Sequence, residues 1–192
     1  IRETAGWSSS ADKASAKISS LISNAVKNIS KPSLTRSLTI ESSGRCLVFG
    51  PSDAVFRVCE LLSDDLGVTA LINDENDVIP PLNYGYNIII GKIKSFSGYF
   101  GNFEITLDEF SEALPHSKEM LIFKEKSNDV TSTCDIFIDL NNDKPLISSY
   151  EKRDGYYKSN SNDTLKILEI INDAKTKIGE FEKPIYVNFD EN

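Results

Sequence analysis

"RCLVFGPSDAVFRVCELL", residues 45–62, decides how the rest of the chain is read. A short apolar run, Cys46–Phe49, meets Gly50, and an amphipathic helix begins near Asp53. Continued to Leu66, that helix buries Phe56, Cys59, Leu62 and Leu66, with Gly67 in the usual glycine position at its C-terminus. Val68–Ile72 then reads as a second strand. Strand, roughly four turns of helix, strand is a βαβ unit with parallel strands. The expectation is an α/β domain: a Rossmann-like, mainly parallel sheet with flanking helices and a small β-hairpin extension.

Outward from this unit, Asn87–Gly91, Lys92–Phe96 and Phe103–Leu107 read as short strands punctuated by Gly91, Gly98 and Gly101. Leu121–Phe123 is a further strand candidate, and in Cys134–Leu140 Ile136 and Ile138 alternate with acidic neighbours. Thr164–Ile178 is a helix whose core face is Leu168, Ile171, Ala174 and Ile178, capped by Asn162 or Asp163 and stopped by Gly179. The tail from residue 182 reads as extended. Upstream, Ile18, Leu21, Ile22, Ala25, Val26 and Ile29 form one apolar helical stripe before Pro32. The organisation expected is a helical arm over residues 1–43 and an α/β domain over 44–192.

Of the 192 residues, 40% are hydrophobic, enough for a core, and the net charge is −8 without a basic run. Nucleic acid and anionic membrane surfaces are poor partners for such a chain. No stretch approaches the roughly 20 apolar residues of a membrane span. Cys46, Cys59 and Cys134 lie far apart with apolar neighbours, and His116 is the sole histidine. This set builds neither a structural zinc site nor an iron–sulfur cluster, and it points to a reducing, cytoplasmic compartment. The first residue is Ile1, so the chain reads as a piece of a longer protein.

The glycine turn is the obvious place for chemistry. A dinucleotide fingerprint needs three glycines: for the turn, for close approach to the pyrophosphate, and for helix packing on the strand. Here Gly50 takes the first position, Ser52 the second and Val55 the third, while Pro51 removes a backbone donor. A nucleotide- or flavin-binding oxidoreductase module would use Gly50, Ser52 and Asp53, with Asp74 near the ribose. The competing reading keeps the turn's shape without its ligand. "YEKRDGYYK", residues 150–158, holds Tyr150, Arg153, Tyr156 and Tyr157, either an adaptor's interaction surface or an ordinary turn. No catalytic constellation is visible.

Four segments carry a resemblance: "RCLVFGPSDA", "GKIKSFSGYFGNFEITLD" (residues 91–108), "CDIFIDL" and "KPIYVNFDEN" (residues 183–192). Together they resemble the N-terminal Rossmann-like region of bacterial 4Fe-4S ferredoxin-type proteins. "GYFGNFEITL" is also similar to part of the flavin-containing subunit of heterodisulfide reductases. The resemblance covers residues 44–192 and implies a non-catalytic domain without a cofactor of its own. It implies 4Fe-4S clusters on a ferredoxin module following Asn192, and a redox partner protein. Flavin-binding residues do not carry over, because Ser52 and Val55 depart from the pattern. Taken without the family, Gly98-Tyr99-Phe100-Gly101-Asn102-Phe103 makes sense as a tight reversal anchored by two aromatics, with direct contact to a cofactor as the alternative.

Overall fold

The computed structural model describes residues 14–30 (backbone only at 28–30), 43–73, 78–82, 84–115, 119–147 and 153–178. The chain divides into two compact units, Ile1–Thr39 and Ile40–Asn192. In the first, the apolar stripe forms helix α1, Ser15–Ser30. Leu21, Ile22 and Val26 on that stripe are solvent-exposed.

The second unit is built on a seven-stranded sheet. β1 (Arg45–Gly50), helix α2 (Ser52–Leu62) and β2 (Gly67–Ile72) form the parallel βαβ unit, with Arg45 opposite Gly67. The helix ends sooner than its periodicity predicts: Ser63 is the C-cap, and Gly67 opens β2 instead of closing α2. β3 (Asn87–Tyr99) and β4 (Asn102–Glu112) form a long antiparallel hairpin, continued by β5 (Val130–Cys134). β6 (Ile136–Asp139) and β7 (Tyr156–Lys158) complete the sheet in the order β5-β4-β3-β2-β1-β6-β7. Helix α3, Thr164–Ile178, has the predicted bounds, and Asp163 Oδ1 accepts from Lys166 N at 3.2 Å across its first turn.

The Rossmann-like expectation is overturned. Among the described residues strands hold more than helices, and the sheet is mixed, with β3–β4 and β4–β5 antiparallel. Both α2 and α3 cover the same face. There Val55, Val58, Cys59 and Leu62 of α2 and Ile170, Ile171 and Ala174 of α3 pack on Cys46, Val48, Val68, Ala70 and Ile138. The hairpin expected to be a small extension covers the other face. Phe103, Ile105 and Leu107 of β4 pack on Leu47, Phe49, Leu71 and Phe137. Phe96 of β3 lies 4.6 Å, ring centre to ring centre, from Phe137 of β6. Those strands are three places apart in the sheet, about 14 Å if it were flat, so the sheet curls over itself. Register shifts between Ile90 and Lys92 and between Ile93 and Ser95 bend β3 where the curl starts.

Asp135 joins the two ends of this curl. It separates β5, at one edge, from β6, next to β1, and the pair predicted as one strand over 134–140 is thereby two. Leu121–Phe123 is no strand; Phe123 makes an isolated bridge to Ala113. Ile171 and Ala174 are buried as expected, but Leu168, also expected in the core, is 45% exposed, and Ile170 is buried in its place.

Candidate functional site

Gly50 ends β1 with φ +149, a conformation that disfavours any residue with a side chain. A Cβ there would stand 3.0 Å from Leu140 C and 3.2 Å from Asn141 N. The glycine is required because the chain leaving β6 passes directly over the turn. Pro51 caps α2 without a side-chain hydrogen bond, and Ala54 N and Val55 N both donate to Pro51 O. Ser52 opens the helix, Asp53 is exposed in its first turn, and Val55 is fully buried. Asp74 lies outside the described residues.

Beside this turn, at the carboxyl ends of β1, β2 and β6, is a cleft of about 360 Å³. Parallel sheets place ligands at such an edge because strand-end backbone groups and outgoing loops converge there. Phe49, Ile72, Ile90 and Ile93 supply apolar walls, and the loop after β6 supplies Asn141, Asp143, Lys144 and Leu146. At its base lies Asp139, 1% exposed. A buried carboxylate is tolerable only when paired and hydrogen-bonded. Lys158 Nζ reaches Asp139 Oδ1 at 2.8 Å, Asn141 N donates to the same oxygen at 3.0 Å, and Tyr156 Oη donates to Oδ2 at 3.0 Å. Lys158 also donates to Asn141 O, and Leu146 N donates to Tyr156 Oη at 3.0 Å. The network fixes both ends of the loop that walls the cleft.

Of the residues expected at an interaction surface, Arg153, Tyr156 and Tyr157 each make hydrogen bonds within the chain. Arg153 Nη1 donates to Gly98 O at 2.8 Å, holding the tip of the β3–β4 hairpin. The Tyr156 ring stacks on Phe137 at 6.0 Å and 12°. Tyr157 Oη donates to Asp173 of α3 at 2.8 Å, and burial pushes its pKa up. Tyr150 lies outside the described residues, as do His116 and the tail 179–192. The "GYFGNF" and "RDGYY" stretches, unrelated in the sequence, therefore pack together. Gly101 N donates to Asp135 O at 3.1 Å, and Phe137 N donates to Gly155 O at 2.9 Å. A Cβ on Gly155 would lie 2.5 Å from Phe100 Cδ2 and 3.2 Å from Asp135 O.

Cys46, Cys59 and Cys134 are free and fully buried, and desolvation holds all three thiols above the ordinary range. A thiol must ionise to ligate a metal or attack, so none is poised for either. Among the described residues no group of three His, Cys, Asp or Glu side chains is placed to hold a metal ion, and no helix is long and apolar enough to cross a membrane. The cleft escaped sequence reasoning because its lining comes from separate strand ends and one loop; "DLNND" after β6 was the nearest signal. No protein-family model, curated protein or solved structure matches the chain.

Proposed function

We propose that this chain is a non-catalytic N-terminal domain of a bacterial, cytoplasmic iron–sulfur electron-transfer protein. In this reading the 4Fe-4S clusters sit on a ferredoxin module following Asn192, which the domain supports and helps to dock on a redox partner. The observation that carries it is the role of the resembling segments in the fold. "GYFGNF" and "CDIFIDL" meet at Asp135, where Gly101 N donates to Asp135 O at 3.1 Å. Motifs with that job suit a scaffold. In this reading the cluster ligands come from that module and not from Cys46, Cys59 and Cys134, three buried thiols of the core.

The test uses the full-length protein that contains this chain, purified without oxygen. Iron and acid-labile sulfide analysis, with electron paramagnetic resonance after dithionite reduction, is expected to give a 4Fe-4S signal that a truncation after Asn192 loses. Full-length protein without iron, or iron retained by residues 1–192 alone, overturns the reading.

A further inference from the structure

We infer that the cleft at the carboxyl ends of β1, β2 and β6 binds a small organic anion, a carboxylate borne on an apolar body. Its volume of about 360 Å³ lies within the range of small-molecule sites. The class of ligand follows from which polar groups are already committed. Asp139 is saturated by Lys158, Asn141 N and Tyr156 Oη, so it neither attracts a cation nor repels an anion strongly. Lys92 is paired with Glu109, and Asn141 Nδ2 donates to Asp143 Oδ2 at 3.0 Å.

Two lining donors remain uncommitted: the Lys144 ammonium and the Asn73 amide have no hydrogen-bond or ion-pair partner among the described residues, while the exposed Asp143 carboxylate is held on one oxygen by the Asn141 amide. The same cleft is lined by apolar side chains, Phe49 and Ile93 included. An open cation and an open amide donor in a cleft with apolar walls complement a carboxylate whose remainder is apolar. A cationic ligand would meet only Asp143, which already takes the Asn141 amide. The Asp139 network keeps the loop bearing Lys144 in place, so little ordering is required on binding.

The test is an amide-shift titration of the isotopically labelled chain with propionate, phenylacetate and indole-3-acetate, each against its neutral amide. At least one carboxylate is expected to shift the amides of Asn73, Lys144 and Leu146 saturably at millimolar concentration, its amide counterpart far less. Lys144→Ala is expected to weaken binding roughly tenfold, the size of one charge-assisted contact, while Lys166→Ala on α3 leaves it unchanged. Shifts located elsewhere, equal binding of acid and amide, or no saturable shift from any of the three acids overturns the inference.

Discussion

Replacing Asp135 by alanine is expected to destabilise the domain more than any other single truncation outside the apolar core. The carboxylate is completely buried, and its oxygens take Ser43 N at 2.8 Å, Arg45 N at 3.0 Å and Arg45 Nη2 at 3.0 Å. The alanine variant leaves two backbone donors and a guanidinium facing a vacancy at the point where β5 gives way to β6. Removing one partner of a buried ion pair costs about 3–5 kcal/mol. The Arg45 side chain keeps 24% of its exposure and can turn partly to water, which places the loss near the lower end, about 3 kcal/mol. Asparagine retains one acceptor oxygen for the two backbone donors and is expected to lose about half as much. Arg45→Met, which removes the more exposed partner, is expected to fall between them. In urea melts followed by circular dichroism, a slope of about 1–3 kcal/mol per molar turns 3 kcal/mol into a midpoint shift of about 1–3 M. A shift of the alanine variant worth less than about 1 kcal/mol, or an asparagine variant no better than alanine, would refute the assignment of Asp135 as the clasp of the sheet.

Gly155→Ala forces a side chain into φ +80 and against Phe100 and Asp135, so a loss of about 2–3 kcal/mol is expected in the same melts. Thr69 is fully buried with an unpartnered hydroxyl, and Thr69→Val is expected to gain about 1 kcal/mol; a loss would show that the hydroxyl finds a partner. The three thiols have raised pKa values in the fold, whereas in the unfolded chain they ionise near the ordinary 9.0. Below that pH their contribution is constant. Above it the unfolded form sheds protons that the folded form keeps, so stability falls by up to about 1.4 kcal/mol per pH unit for each thiol. Melts at pH 8, 9 and 10 test the fall, and Ellman's reagent is expected to react only as the chain unfolds.

What the sequence discloses and what it hides divide along physical lines. β1, α2 and β2 were legible because a continuous apolar run marks a strand buried on both faces, and 3.6-residue spacing marks the helix between two such runs. α3 was legible by its period, though the period could not say that Leu168 faces water. The curl was not. Alternation of Ile136 and Ile138 with acids suggests a half-exposed strand, yet Asp135 and Asp139 are both buried, because Arg45 and Lys158 come from distant segments to meet them. β5, "VTSTC", is too polar to announce itself and exists by pairing with β4. Gly50 looked like a phosphate turn because a glycine demanded by a ligand and one demanded by a passing chain are spelled alike. The cleft had no motif, since its open cation and its apolar walls are gathered from three strands and a loop.

The single residue that closes the sheet sets the order of assembly on the ribosome. Arg45 and Asp135 are 90 positions apart, so at about 5–20 residues per second some 5–20 seconds separate the synthesis of β1 from that of its neighbour β6. Through that interval β1 can pair with β2 alone, and its other edge stays open to any extended segment nearby. The nascent chain therefore has the most to gain from a chaperone after β4 is made and before β6 emerges from the exit tunnel.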